Sequence, residues 1–174
     1  MLTKEVLKSM VDYNPDTGLF IWKPRDISKF PTPRTGKIWN TKHAGTVAGS
    51  FPKDTYPKFR VFDKSYDMHR VVWLYNYGNF PVENIDHIDQ DKQNNRIDNL
   101  RLATVSENGQ NRIKPHGNNA LGLLGVFRKR GKFAATICVK GKNKYLGQHP
   151  TKEKAYEAYL DAKKKYHTFW VTND

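Results

Sequence analysis

Residues 85–100 read IDHIDQDKQNNRIDNL and gather acidic and amide side chains around one histidine, His87. The aspartates are Asp86, Asp89, Asp91 and Asp98, and the asparagines are Asn94, Asn95 and Asn99. The chain as a whole has the opposite character, because 30 lysines and arginines against 17 aspartates and glutamates give it a formal net charge of +13. An acidic, amide-rich loop in so basic a chain calls for a chemical explanation.

The elements around this stretch are predicted in the order helix, strand, loop, strand, helix. A helix runs through MHRVVWLYNYG, which Asp67 can cap and Gly78 ends. ENIDHI is a brief strand, the polar run to Asn99 is a loop, and LRLAT is the returning strand. Thr104 and Glu107 have the spacing of a capping box, so a second helix begins there.

Asp86 and His87 would lie on opposite faces of the ENIDHI strand, since neighbouring strand residues alternate. Asp86 would then hold a metal ion while His87 works at its edge, near a bend in the strand. Asn108, on the following helix, offers an amide oxygen, which suits a hard cation such as Mg²⁺. One carboxylate and one amide form a sparse shell, which waters and a substrate phosphate would complete, as is common for Mg²⁺ at phosphate sites.

The stretch DHIDQDKQNNRIDNLRLATVSENGQN resembles the His-Asn-His (HNH) endonuclease signature, in the form found in phage and intron-encoded homing endonucleases. The flanking segments HRVVWLYNYGNFP and TKEVLKSMVDYNPDTGLFIWK are similar as well, so the resemblance covers residues 1–113. It implies a ββα-metal nuclease fold in which Asp86 and Asn108 are the metal ligands. It also implies that His87 is the general base and that Asn99 is the middle asparagine, which ties the loop together through hydrogen bonds.

The resemblance implies hydrolysis of a phosphodiester with one divalent cation, Mg²⁺ or Mn²⁺. His87, neutral at physiological pH, would take a proton from a water aimed at phosphorus, leaving 5′-phosphate and 3′-hydroxyl ends. The acidic loop is thereby explained, because its acids hold a cation that holds the phosphate, while the basic surface attracts the polyanion. Gln90 departs from the signature, since glycine is more usual there.

The C-terminal part of the chain has a different pattern, with three short strands in LGVFRKR, KFAATICVKG and KYLGQH and a helix in TKEKAYEAYLDAKKKYH. This part resembles the AP2 domain, whose three-stranded sheet lies in the major groove of DNA. Residues 117–174 hold 12 lysines and arginines against 4 aspartates and glutamates. The candidate DNA contacts are Arg128, Lys129, Arg130, Thr136, Lys140, Asn143 and Tyr145, together with Arg70 in the first part of the chain.

The predicted fold class is therefore α+β, a ββα-metal (HNH) nuclease followed by a small three-stranded sheet plus helix, the AP2-like module. Residues 1–65 form an N-terminal α+β region that supports the nuclease. Within it, Thr3 caps an opening helix, LFIW is a strand, and residues 24–58 are loops and short strands. Residues 66–113 are the nuclease core, 114–119 a linker, and 120–174 the AP2-like module.

Composition narrows the setting in which the protein works. A single cysteine, Cys138, excludes an internal disulfide and a four-cysteine zinc cluster and fits a reducing cytoplasm. No apolar run reaches the ~20 residues that span a bilayer. We expect a cytoplasmic protein, in the host cell if it is phage-encoded, that binds double-stranded DNA as a monomer without a protein partner.

The sequence thus predicts a site-directed DNA endonuclease of the homing type, with a DNA-positioning module. A DNA-binding regulator whose nuclease site is silent is the leading alternative, and an RNA-directed nuclease is a third. The intact set of Asp86, His87 and Asn108 argues against the silent regulator, and the AP2-like module favours duplex DNA over RNA.

Overall fold

The computed structural model describes residues 2–113, 115, 117 and 119–169. The chain divides into two compact units, Met1–Leu102 and Ala103–Asp174. The predicted nuclease region, 66–113, spans this division, and three positions of the predicted linker (114, 116 and 118) lie outside the described residues.

The first unit opens with helix α1, Lys4–Met10, followed by strands β1, Val11–Asn14, and β2, Leu19–Trp22. Thr3 caps α1 by accepting a hydrogen bond from the amide of Val6, as predicted. Strand β3, Val47–Ala48, completes an antiparallel sheet in the order β1-β2-β3.

The prediction of loops and short strands across residues 24–58 is wrong at Pro33–His43, which forms helix α2, with a 3₁₀ turn at Ile27–Lys29 before it. The proline-rich, glycine-containing composition favoured loops. In the structure, however, Pro33 is the first helical residue, a position at which the missing N–H of proline costs no hydrogen bond. A capping box between Thr32 and Thr35 starts the helix. Gly36 is buried where a Cβ would lie 2.9 Å from the Phe30 ring, so close packing explains a glycine inside the helix.

A hairpin and a helix complete the core of the first unit. Strands β4, Lys58–Val61, and β5, Lys64–Asp67, pair antiparallel and lead into α3, Met68–Tyr77, which ends at Gly78 in the left-handed conformation (φ 91°). The α3 boundaries confirm the prediction, except that Asp67 makes no capping hydrogen bond and pairs instead with Lys58 at 2.6 Å. The core comprises Leu7, Val11, Phe20, Phe59, Met68, Val71 and Val72, all fully buried.

The remaining elements around the loop follow the predicted order. Strands β6, Asn84–His87, and β7, Leu100–Ala103, form a two-stranded sheet, and a 3₁₀ turn at Ile97–Asn99 precedes β7. Helix α4, Val105–Gln110, begins with the capping box of Thr104 and Glu107. This sequence of elements confirms the strand–loop–strand–helix prediction.

The second unit contains a three-stranded antiparallel sheet in the order β10-β9-β8, covered by one helix. The strands are β8, Val126–Lys129, β9, Lys132–Val139, and β10, Lys142–His149, and the helix is α5, Lys152–Tyr166. Ala135 and Ile137 of β9 pack with Ala155 and Tyr159 of α5. The predicted three strands and helix are confirmed. No helix among the described residues is long and apolar enough to cross a bilayer.

Candidate active site

Asp86 and His87 end strand β6, and both side chains are buried. Arg101, on the neighbouring strand β7, donates from Nε and Nη2 to Oδ2 of Asp86 at 3.0 and 2.9 Å. His87 has other neighbours, because its Nε2 lies 3.4 Å from Oδ1 of Asn95. The two adjacent residues therefore face different groups, as the alternation of a strand requires.

Asn95, which contacts His87, is itself fixed by the first strand of the unit. The amide is fully buried, and its backbone carbonyl accepts a hydrogen bond from the Tyr13 hydroxyl at 3.1 Å. The same hydroxyl accepts from the amide of Ile97 at 2.9 Å. Tyr13 thus anchors the loop that places Asn95 beside the imidazole.

Two ring side chains, His69 and Tyr56, pack around His87. The His69 ring lies 5.3 Å from the His87 ring, edge to face, and Tyr56 lies 5.0 Å from His69 and 5.8 Å from His87. Burial lowers the pKa of His87, and burial together with the nearby His87 lowers the pKa of His69 to about 4. Both imidazoles are therefore neutral at physiological pH, which is the protonation state that a general base requires.

A set of mutual hydrogen bonds closes the acidic loop. Asn99 donates to Oδ1 of Asp89 at 2.9 Å and accepts from the Asp89 amide at 3.1 Å, while Asn94 donates to Oδ2 of Asp89 at 2.6 Å. Oδ1 of Asp91 accepts from the amide of Gln93 at 2.9 Å, in an Asx turn. These carboxylates shape the loop, and a catalytic role for Asn99 stays a prediction.

Gln90 explains why its place in the signature usually holds glycine. Its φ is 66°, in the left-handed region that glycine adopts without a steric penalty. The amide of Gln90 donates to the carbonyl of His87 at 3.0 Å, so this strained turn lies directly after the catalytic candidate.

The two other predicted site residues of the nuclease region, Arg70 and Asn108, lie on helices α3 and α4. Asn108 is exposed on α4 of the second unit, and the described residues contain no group of three or more His, Cys, Asp or Glu side chains suited to a metal ion. Arg70 on α3 donates to the carbonyls of Pro81 and Glu83, so it secures the turn before β6. Metal binding by Asn108 and phosphate binding by Arg70 stay predictions.

The predicted DNA contacts in the second unit divide between the two faces of its sheet. The register pairs Lys129 with Lys132, Thr136 with Tyr145 and Asn143 with Cys138, which places these residues on the face away from α5. Lys129 Nζ lies 4.7 Å from the centre of the Tyr145 ring.

Arg128 lies on the α5 side of this sheet, where its guanidinium packs over Phe133. Arg130 and Lys140 occupy turns with φ of 47° and 50°. The face away from α5 therefore brings together four of the seven predicted contacts in this unit: Lys129, Thr136, Asn143 and Tyr145.

Comparison with known proteins identifies the family. Residues 66–110 match the family model described as HNH endonuclease. The chain is also 36% identical over 87 residues to Protein 3.8 of Escherichia phage T7, across 48% of this chain and 71% of that protein. The chain belongs to the HNH endonuclease family. The match covers β6, the acidic loop, β7 and α4, together with the preceding helix α3.

Two further relatives of this HNH endonuclease carry nuclease names. DNA endonuclease I-HmuI of Bacillus phage SP01 is 31% identical over 86 residues, which are 45% of this chain and 48% of that protein. An uncharacterized HNH endonuclease of Acanthamoeba polyphaga mimivirus is 32% identical over 102 residues, 55% of this chain and 52% of that protein. The matched region thus spans about half the length of these two relatives. No solved structure matches the chain.

Arg101 and Tyr56 are among the residues of the site that sequence reasoning missed. Arg101 was detectable in principle, because oppositely charged side chains on neighbouring strands form stabilising pairs. Arg101 lies in the strand that returns alongside Asp86. Tyr56 left no such signal, since it belongs to a proline-rich segment about thirty residues before His87 and only the tertiary fold brings the two rings together.

Proposed function

We propose that this HNH endonuclease is a metal-dependent DNA endonuclease of the homing type that cuts or nicks duplex DNA with His87 as general base. The observation that carries the proposal is a buried imidazole whose pKa is lowered by burial, beside a carboxylate, within the residues that match the family. The name of one phage relative, DNA endonuclease I-HmuI, and the net charge of +13 support DNA as the substrate.

His87 would accept the proton of the attacking water, and Asn95 would hold the imidazole in orientation through the contact at Nε2. Asp86 fits a divalent cation, because its carboxylate is a hard oxygen ligand and its observed partner, Arg101, is itself cationic. A bound Mg²⁺ or Mn²⁺ supplies Lewis-acid stabilisation of the charge on the phosphate. Asn108 as second ligand is proposed from its place in the motif alone.

The second unit is proposed to position the DNA as an AP2-like module. The support is its three-stranded sheet backed by one helix, with Lys129, Thr136, Asn143 and Tyr145 on the face away from that helix. Lysine neutralises phosphate, and asparagine and threonine can bond to base edges.

A silent DNA-binding regulator is the second candidate, and two observations favour it. The Asp86 carboxylate is held by Arg101, and only 4% of the His87 surface is exposed. In a catalytically competent site, Asp86 would have to exchange Arg101 for a metal ion, and His87 would have to become accessible to a water beside the phosphate.

Cleavage of supercoiled plasmid separates the two candidates. Wild-type protein is incubated with Mg²⁺, with Mn²⁺ and with EDTA, beside Asp86→Asn. The nuclease proposal expects nicked or linear product with metal only and a loss of about 100-fold or more in Asp86→Asn. DNA binding without cleavage by wild-type protein in either metal would establish the regulator instead.

A further inference from the structure

A basic and aromatic groove lies in the first unit, outside the cluster around His87. It consists of two adjoining depressions of about 320 and 500 Å³, which share Trp22, His43 and Arg60. The first also contains Arg25, Trp39 and Phe62, and the second contains Lys58. Among the described residues lining the groove, Asp63 is the single acidic side chain.

Arg25 precedes helix α2 in the chain and is held at this groove by contacts with that helix, the element that the sequence did not predict. Its guanidinium carbon lies 3.9 Å from the centre of the Trp39 ring and 4.9 Å from that of Trp22. Asn40 of α2 accepts from the amide of Arg25 and donates to its carbonyl, each at 2.8 Å. No ion pair of the described residues involves Arg25, so the fold orients this cation without neutralising it.

Arg60 adds a second such cation from strand β4. Its neighbours Phe59 and Val61 point into the core, so Arg60 points to solvent, where its cross-strand partner is the uncharged Ser65. Like Arg25, it takes part in none of the ion pairs found in the described part of the chain.

The hairpin tip beside these arginines carries a strained aromatic residue. Val61 pairs with Lys64, so Phe62 and Asp63 form a two-residue turn in which both φ angles are positive, 50° and 56°. Such turns favour asparagine and glycine, and a bulky residue there is strained. The Phe62 side chain is nevertheless 60% exposed, so core packing does not explain its presence. An exposed aromatic side chain held at a conformational penalty indicates a binding role.

We propose that this groove binds the backbone of the DNA substrate, with Arg25 and Arg60 contacting phosphates and Phe62 packing against a sugar or base. Charge complementarity favours this occupant, since two uncompensated arginines line the groove of a chain with net charge +13. The same hairpin leads directly into α3, whose His69 contacts His87, so one DNA molecule can engage the groove and the active site. The inference rests on the proposed action on DNA.

The test measures binding of the full chain to a fluorescent duplex in EDTA, by anisotropy at several salt concentrations. Arg60→Gln is expected to bind about three- to tenfold more weakly and to lower the salt slope by about one, as the loss of one phosphate contact does. Lys154→Gln, which removes one exposed charge from α5, is the matched control and is expected to change affinity less than about twofold.

Phe62→Asn provides a variant whose folding is not at risk. Asparagine tolerates positive φ, so the melting temperature is expected to stay equal or rise while DNA affinity falls. Wild-type affinity and salt slope in both Arg60→Gln and Phe62→Asn would overturn the inference. Binding in EDTA requires no cleavage, so the two proposals can fail separately. A wild-type protein that binds DNA but never cuts it would refute the nuclease proposal, while the affinities of the variants would still test the groove.

Discussion

Arg101 bonds through two nitrogens, Nε and Nη2, to a single carboxylate oxygen of Asp86, the proposed metal ligand. Both residues lie on the two-stranded sheet, and the pair is largely shielded from solvent, with side-chain exposures of 23% and 7%. A guanidinium therefore occupies the position at which a divalent cation would have to compete for this carboxylate.

Arg101→Gln is expected to destabilise the metal-free protein by about 2 kcal/mol, because it leaves Asp86 with less compensation for its burial. Adding Mn²⁺ should then raise the melting temperature more in the variant than in the wild type, since the ion no longer competes with arginine. Arg96→Gln breaks an exposed pair with Asp98 and should leave the melting temperature nearly unchanged, with no new response to Mn²⁺. An identical response of Arg101→Gln and wild type to Mn²⁺ would show that the two cations do not share Asp86.

His69 makes the stability of the first unit depend on pH. Its folded-state pKa is about 4, well below the ordinary value of 6.5, so the unfolded chain binds more protons between these two values. The contribution of His69 to the free energy of unfolding should be fully present above pH 6.5. It should be lost as the pH falls towards 4, which lowers the stability by up to about 3 kcal/mol.

Urea denaturation at a series of pH values would measure this dependence. His69→Leu should reduce the slope between pH 6.5 and 4, because it removes the titrating imidazole. Among the described residues, Nδ1 of His69 has no hydrogen-bond partner that the substitution would break. An unchanged slope in His69→Leu would refute the assignment.

Gln90→Gly should stabilise the protein by about 0.5 kcal/mol, since relief of the left-handed strain outweighs the greater entropy of glycine in the unfolded chain. Lys92, in the same loop, has no positive φ, so Lys92→Gly should lower the melting temperature. Thermal denaturation of both variants checks the sign, and a lower melting temperature for Gln90→Gly would contradict it.

Lys129 and Arg128 are neighbours on β8 that face opposite sides of the sheet. If the face away from α5 contacts DNA, Lys129→Gln should weaken duplex binding by about three- to tenfold, and Arg128→Gln should weaken it less. Anisotropy titrations at fixed salt would measure the difference. A larger effect at Arg128 would assign the contact to the α5 side.

The elements that could be predicted from sequence are those whose signals are local. The left-handed glycine at the end of α3 and the capping box of Thr104 and Glu107 are set within a few residues, and both are present as expected. Helix α2 escaped prediction because Pro33 and Gly36 resemble loop residues until their surroundings are known: the first helical position for one, contact with Phe30 for the other.

The candidate site was predictable only in part, for the same reason. Asp86 and His87 are adjacent in a motif and could be named from it. Tyr56 reaches His87 through the packing of a distant segment, and the ring contact between His69 and His87 joins α3 to β6. Contacts of this kind follow from tertiary structure, for which a single sequence carries no periodic or spacing signal.

The most direct test of the account compares His87→Ala with His69→Ala in single-turnover cleavage of plasmid DNA with Mg²⁺. The two imidazoles belong to one buried cluster, so both substitutions disturb packing in similar surroundings. If His87 is the general base, its loss should slow cleavage by about 100-fold or more, while His69→Ala retains most of the rate once matched for folded fraction. Equal cleavage by His87→Ala and wild type would contradict the account.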